Sequence, residues 1–598
     1  MDNYGEGHSG KLYPFELEPV AQEEAGLQRC LYCFEALSTS EVYQRFRVCP
    51  HCRFHYALSA WERIALLADT GTFQERFNTL VSGDPLSFAD PVPYSHRLSR
   101  ERQRTGLTSA AVTGICKIDG KQTVLAVLDF SFMGGSMGSA AGEKVALAFE
   151  LAMEKKLPVV SVVTSGGTRL EEGLLSLMQM AKTAEVIKKL HKHGLPYISV
   201  MASPTTGQVY TSFANLGDFI LAEPGALLGF APLQVMERDT EKPLPPFSHT
   251  AEAHLTRGLL DMVVDRLTLK ERLAMLLGIL NEEHKLQVKK KSLSPPPRVE
   301  IQEREPAWQT LQRARSKERP SSLDYIRRVL NDFVEIHGDR MSGDDPSILC
   351  GLAYLRTRPV VVCAQERGRG EEAAFRRQGR TFPEGFRKAQ RALLLAAKFQ
   401  LPVLTFIDTP GAHPGLDSEE RGIGAAIAST IALLSDLRVP VIASFIGEGG
   451  SEGALALAVA DRIIMLEHAV FEPISPERAA VLLYRDPKRA REVAASLKLT
   501  AYDCQQLGVA DIVVAEPTTG SPEDLDESAR RLEEVLVREL FTLEQIPLKR
   551  LLKLRFEKFR KMGKHTVIKE EKPRTGRGTR LRRYLGRLRR RGRGRAVS

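Results

Sequence analysis

Residues Val439 to Ala460 read VPVIASFIGEGGSEGALALAVA, and this stretch decides the fold class. A β-branched apolar run at Val441 and Ile442 ends in Gly447, Gly449 and Gly450. A helical spacing of Ala454, Leu455 and Leu457 then opens at Glu452-Gly453. The order strand, glycine turn, helix start leaves unpaired backbone N–H groups where an anion can be held. Glycine in such a turn lets a ligand approach the main chain closely. Residues Leu195 to Ala214, LPYISVMASPTTGQVYTSFA, repeat the layout with Gly207 in the turn.

The repetition extends outward from the two turns. Leu157-Pro158 followed by Ser165-Gly166-Gly167 is echoed by Leu401-Pro402 followed by Thr409-Pro410-Gly411. Pro196 is echoed by Pro440, and both proline pairs lie 244 residues apart. Leu216-Gly217-Asp218 returns as Val459-Ala460-Asp461, one residue short of that spacing. Such equal spacing implies a duplicated α/β domain with alternating strands and helices.

In the first copy, Thr123–Phe132 reads as strand and Glu143–Lys156 as helix, followed by strand Pro158–Thr164 and helix Leu174–Leu190. Upstream, Ser59–Phe77 reads as helix and Gly83–Gln103 as polar loop. Between the copies, His284 to Pro320 carries Lys289-Lys290-Lys291 and Pro295-Pro296-Pro297 and reads as a linker. Ser321 to Asp324 then opens an amphipathic helix with Ile326, Leu330, Phe333 and Val334 on one side.

Near the N-terminus, Cys30, Cys33, Cys49 and Cys52 are spaced C-x2-C-x15-C-x2-C. Two tight knuckles joined by a hairpin-length segment match a closed four-thiolate zinc ribbon. Four sulfurs complete the shell, so His51 and His55 are expected to be bystanders and the metal structural rather than catalytic.

A chain of 598 residues makes several domains or two large ones. With 43% hydrophobic and 26% charged residues it reads as a soluble globular protein. No apolar run reaches the roughly 18 residues that span a bilayer, and the first residues lack a signal-peptide core. The remaining cysteines (Cys116, Cys350, Cys363 and Cys504) are scattered, which fits a reducing compartment and a cytoplasmic location. The net charge of +10 is carried by the tail, because Lys572 to Ser598 holds 12 Lys and Arg and no acid. That arm could meet an acidic or nucleic-acid partner, or simply be solvated.

Two glycine turns that open helices are what an enzyme needs to hold a developing oxyanion. No Walker loop or H-E-x-x-H motif accompanies them. Asp408 reads either as a base or as a cap of its turn. Arg367, Arg369, Arg376, Arg377 and Arg380 form a basic loop that suits phosphate or plain solvent.

With these residues laid out, the chain closely resembles the carboxyltransferase of bacterial acetyl-CoA carboxylase, with the beta and alpha subunits fused in that order. The beta resemblance rests on the ribbon, FMGGSMGS at Phe132–Ser139, SGGTRLEEG at Ser165–Gly173, SLMQMAKT at Ser176–Thr183 and GLPYISV at Gly194–Val200. The alpha resemblance rests on FIDTPGAHPG at Phe406–Gly415, EERG at Glu419, IGEGGSEGALAL at Ile446–Leu457 and ISPE at Ile474.

The resemblance implies two crotonase-like α/β spiral lobes behind the ribbon. Its boundaries are an N-terminal extension 1–27, ribbon 28–56, beta-like lobe 57–283, linker 284–320, alpha-like lobe 321–548 and basic tail 549–598. It implies transfer of a carboxyl group from carboxybiotin, carried on a separate biotin carboxyl carrier protein charged by biotin carboxylase, to acetyl-CoA. The product is malonyl-CoA, for fatty-acid synthesis. It places backbone oxyanion sites at Gly207, Gln208, Glu452 and Gly453. Substrate contacts fall at Gly135, Gly138, Gly166, Gly167, Gly411, Gly449, Gly450, Arg367 and Arg369. It also implies a homodimer in which each site joins the first lobe of one chain to the second lobe of the other.

The chain departs from the family pattern at Gln208 and Glu452, where glycine is usual, at His413, where the family has Tyr, and at Glu371-Glu372. A carboxylate at 452 would oppose a developing oxyanion unless it turns away. The competing readings are a carboxyltransferase for propionyl-CoA or another acyl-CoA, and a nucleic-acid-binding protein on an inactive scaffold.

Overall fold

The structure, a computed structural model, describes residues 28–88, 92–231, 245, 247–281, 305–517 and 522–563. The N-terminal extension, most of the expected linker and the arginine-rich end of the tail lie outside these residues.

The duplication is explicit in the strands. The first lobe contains β1 (Gln74–Arg76), β2 (Ala111–Ile118), β3 (Lys121–Leu128), β4 (Val159–Ser165), β5 (Tyr197–Thr206), β6 (Phe219–Ala222), β7 (Leu228–Gly229) and β8 (Met262–Val263). The second contains β9 (Asn331–Ile336), β10 (Ile348–Leu355), β11 (Arg358–Gln365), β12 (Val403–Thr409), β13 (Val441–Gly450), β14 (Arg462–Leu466), β15 (Val470–Glu472) and β16 (Ile512–Val514). Each set forms an eight-stranded sheet in the same order, β1 to β6 then β8 with β7 branching from β5, and β9 to β14 then β16 with β15 branching from β13. The first three strands of each are antiparallel and the rest parallel.

Register repeats as well. Val159 pairs with Tyr197, and Val403 with Val441, each partner 244 residues on. The ladder slips at the same place in both lobes, before Ser165–Thr205 and before Thr409–Gly449. That slip bends the strand end and carries the following turn out of the sheet.

The central parallel strands are apolar without alternation, as in VVSVVTS of β4, because helices cover both faces. Helices Ser139–Lys155 and Pro383–Phe399 occupy equivalent places across the antiparallel strands, again 244 residues apart.

Several local expectations are corrected. The helix expected over Ser59–Phe77 stops at Leu67, and Gln74–Arg76 joins the sheet as β1. The loop expected over Gly83–Gln103 contains helix Tyr94–Thr105, whose buried residues are Tyr94 and Leu98. Two apolar anchors among so many charges leave almost no periodic signal. The helix after Ser321 has its capping box with Asp324 but ends at Val329, and Phe333 and Val334 belong to β9, past a bulge with Asp332 at φ 51°. Residues 305–320 are built into the second lobe. Their helix Ala307–Ala314 buries Leu311 and Ala314 against Val470, Ala494 and Leu499.

Ion pairs join the lobes. Asp261 of the first is gripped by Arg340 and Arg391 of the second, and Asp218 by Lys398 at 2.6 Å. The ribbon is fixed by Arg266, which donates to the Phe46 and Tyr56 carbonyls and pairs with buried Glu223. Burial opposes the charge on Glu223, but Arg63 and Arg266 overcome it and hold the carboxyl far below its ordinary range. Among the described residues no helix is long and apolar enough to cross a membrane.

Candidate functional site

In the second lobe, β13 runs straight into helix Ser451–Ala458. The N–H groups of Glu452 and Gly453 lie in its first turn, so neither has an acceptor within the helix, and neither meets another among the described residues. Two glycine segments cross here almost in contact. A Cβ at Gly450 would lie 2.4 Å from the Pro410 carbonyl, and one at Gly453 2.4 Å from the Ala412 nitrogen. Gly411 sits at φ 126°, its N–H held by Thr409 Oγ1 at 3.0 Å. A Cβ at Gly449 would run into the Phe445 ring.

The first lobe builds the same crossing. Helix Gly207–Tyr210 follows β5, and Gly167, at φ 109°, has its N–H held by Ser165 Oγ at 3.0 Å. A Cβ at Gly207 would lie 3.1 Å from the Gly167 Cα. Gly166 donates to the Gly134 carbonyl. Gly135 and Gly138 are glycine for packing, since their Cβ atoms would strike the Thr164 carbonyl and the Glu172 carboxylate. Glu172 accepts from the Ser139 N–H at 2.6 Å and from the Tyr94 hydroxyl at 2.7 Å, so the start of helix Ser139–Lys155 is already capped.

Superposing the repeats by their common offset aligns Gly207 with Ser451, Gln208 with Glu452, and Val209 with Gly453. Sequence reading missed Ser451, which takes Gly207's left-handed backbone at φ 55° although it is not glycine. The offset of 244 residues could have found it. The two departures from the family pattern behave oppositely. Gln208 turns inward and donates to the Met137 carbonyl at 2.7 Å and to Ser176 Oγ at 3.1 Å. Glu452 is exposed and contacts the neighbouring Ser451 hydroxyl, so its carboxylate turns toward solvent.

Arg367 and Arg369, expected to meet substrate, are engaged by the protein. Arg367 reaches Asp408, Glu448 and the Ala314 carbonyl, each at 3.3 Å, and Arg369 pairs with Asp324. Arg376 and Arg377 serve the Pro346 carbonyl and Asp345. Arg380 has no acid partner among the described residues. Asp408 is enclosed. It accepts from the Glu448 N–H at 3.0 Å, and burial pushes its carboxyl up to about 6 against the pull of Arg367. Glu472 is pushed up to about 7 by burial, Arg315 opposing. His413 packs against Phe382 with its ring tilted, and its Nδ1 lies beside Ser418 Oγ.

The cysteine cluster fits zinc. Cys30 and Cys52 sulfurs are 3.6 Å apart, as are those of Cys33 and Cys49, and all four lie within 4.8 Å of one another. A tetrahedron with Zn–S bonds of about 2.3 Å has edges of about 3.8 Å. The Tyr56 hydroxyl donates to Cys30. His51 is exposed and His55 lies against Asp265, so both stand outside the cluster.

The family model described as "Acetyl co-enzyme A carboxylase carboxyltransferase-like" matches residues 274–563. A protein of Salinispora arenicola named acetyl-coenzyme A carboxylase carboxyl transferase subunits beta/alpha is 42% identical over 555 residues, covering 92% of this chain and 98% of that one. The Clostridium tetani protein of the same name is 39% identical over 538 residues, covering 90% and 93%. The alpha subunit of Geobacter sulfurreducens is 47% identical over 258 residues, covering 43% of this chain and 81% of its own length. Among solved structures, a transcarboxylase 12S core with hydrolysed methylmalonyl-coenzyme A bound has a TM-score of 0.65 at 22% identity, covering 86% of this chain and 92% of that one. At that identity the likeness establishes the crotonase-like fold of both lobes.

Proposed function

The chain belongs to the acetyl-CoA carboxylase carboxyltransferase family, with beta-type and alpha-type portions in one polypeptide, and from that premise we propose how its two turns divide the reaction. It is the component that places a carboxyl group on acetyl-CoA to form malonyl-CoA. Carboxybiotin supplies that carboxyl group. We assign its delivery to a separate biotin carboxyl carrier protein, charged by biotin carboxylase.

The observation that carries this reading is the pair of matching turns. In each, the first N–H groups of a helix stand beside a close crossing of glycine backbones and meet no acceptor among the described residues. Donors fixed before the reaction stabilise charge as it develops, without reorganisation at that moment. One turn would hold the thioester oxygen as the methyl carbon loses its proton, and the other the ureido oxygen of biotin. The chain's own share of the work is to orient both groups and stabilise charge. Asp408 is closed in by Arg367 and the Glu448 N–H, which suits a structural role better than that of a base. Arg380 is the arginine of the loop best placed for a coenzyme A phosphate.

We assign residues 28–56 to a structural zinc ribbon, 57–283 to the beta-type lobe, and the alpha-type lobe from residue 305. Each site is completed by a second chain. In support, Leu170, Leu174 and Met178, which follow the Gly166–Gly167 segment of the first crossing, are 75%, 73% and 53% exposed, and Leu416, which follows Gly411 of the second, is 74% exposed. Apolar surface of this kind beside a site suits a partner lobe. Malonyl-CoA with free biocytin should yield acetyl-CoA, and no turnover with any acyl-CoA would overturn the assignment. A fully active monomer in sedimentation would overturn the shared site.

A further inference from the structure

We propose that Arg315 is the positioning residue of the second turn, fixing the end of β13 so that the N–H groups of Glu452 and Gly453 stay aimed at their substrate oxygen. The proposal rests on reading that turn as an oxyanion site.

Arg315 directly follows helix Ala307–Ala314, whose buried Leu311 and Ala314 hold it in place. Each nitrogen of its guanidinium reaches a different carboxylate: Nε to Glu448 at 2.6 Å, Nη1 to Glu477 at 2.8 Å and Nη2 to Glu472 at 3.0 Å. These acids come from β13, from the first turn of helix Pro476–Tyr484, and from β15. Within the sheet Glu448 pairs with Val470, and Gly450 with Glu472. One planar cation therefore clamps three elements where they converge on the turn. The fork of donors matters, because a guanidinium holds its donors in one fixed plane, whereas an ammonium offers three donors on a flexible stem.

Glu448 and Glu472 are each 2% exposed, and buried carboxylates persist only with partners. Glu448 is gripped twice more. Arg367 pairs with its side chain, and Asp408 accepts its backbone N–H. Arg319 donates to the Ile446 carbonyl at 2.7 Å. Residues 446 and 448 are thus pinned just before Gly450, and little chain is left to drift ahead of the helix.

The comparison between lobes shows why a clamp is needed here. The first turn is tethered by the inward amide of Gln208 on Met137 and Ser176. Its counterpart Glu452 points to solvent and supplies no such tether. The position equivalent to Glu448 in the first lobe is Pro204, which can accept no clamp through its side chain. A charge network takes over in the second lobe the task that a single amide performs in the first. Preorganised donors lose their value when their supporting residues are loose.

The test uses the full chain with Arg315→Lys and Arg315→Met. Carboxyl transfer from malonyl-CoA to biocytin is measured where circular dichroism shows each variant folded. Arg315→Met should lower kcat about 10- to 100-fold with KM for malonyl-CoA within about twofold, the scale of a modest misplacement. Arg315→Lys should fall between the two. Amide exchange over residues 446–458 should quicken about tenfold in Arg315→Met, while residues 200–212 stay unchanged. Unchanged exchange over 446–458, or a kcat per folded molecule equal to the parent's, would overturn the proposal. A parent chain without turnover would sink the carboxyltransferase reading alone, and the exchange comparison still decides the clamp.

Discussion

Replacing Gly453 with Ala tests the geometry of the second turn most directly. A Cβ there would lie 2.4 Å from the Ala412 nitrogen, 2.7 Å from the Gly411 carbonyl carbon and 3.0 Å from the Gly411 Cα. Carbon contacts settle near 3.5–4.0 Å, so about 1 Å of movement is required. The 409–413 segment resists it, with Gly411 N–H on Thr409 Oγ1 at 3.0 Å and His413 N–H on the Thr381 carbonyl at 2.9 Å. The helix start must therefore share the shift. Overpacking of this kind costs about 1–3 kcal/mol, and a donor misplaced by about 1 Å costs roughly 100-fold in rate. Malonyl-CoA turnover with biocytin should show that loss in kcat, and urea unfolding a lower midpoint. Glu452→Gly is the control. Its side chain is already exposed, so kcat should stay within about twofold of the parent's or rise as the nearby charge is removed. Parent-like turnover and stability in Gly453→Ala would refute the steric argument. Loss of turnover in a folded Glu452→Gly would give that carboxylate a direct role.

Three further outcomes follow from the structure. Cys49→Ser should abolish the binding of about one zinc per chain by metal analysis and loosen the ribbon, whose hydrophobic cluster includes that cysteine. Arg555→Met should cost about 3–5 kcal/mol in denaturant unfolding, because it removes the buried guanidinium that pairs with Asp461 and donates to the Leu434, Leu437 and Val439 carbonyls. The acids behind the second turn should make stability fall as pH rises. Burial raises Asp408 to about 6 and Glu472 to about 7, so the folded chain keeps protons that the unfolded chain releases. Their contribution is complete below the ordinary carboxylate range and is lost as pH climbs through those two values. Glu472→Gln should flatten the upper part of that slope, and an unchanged profile in urea titrations would contradict it.

The sequence by itself determined the duplicated α/β architecture, the cysteine cluster and the location of both turns. Those features are written along the chain: apolar runs ending in glycine, a constant offset of 244 residues, and knuckle spacing. It also placed a glycine at 453, in a turn where glycine lets a ligand approach the main chain. Only the tertiary structure shows that the Gly411–Ala412 backbone, some forty residues away in sequence, lies where a side chain at 453 would go. The first lobe tolerates Val209 at the equivalent position, buried at 0% exposure, so glycine is a local demand of the second crossing. The helix at Tyr94–Thr105 and the strap at 305–320 escaped notice because few apolar anchors hold them. Their places are fixed by distant partners: Glu172 for Tyr94, and Glu448 and Glu472 for Arg315. Pattern and propensity fix which elements form, since those depend on neighbours along the chain. Which carboxylate turns inward, and which arginine is already engaged, depends on what folding brings alongside. That is why Gln208 and Glu452, alike as departures from the glycine pattern, face opposite ways.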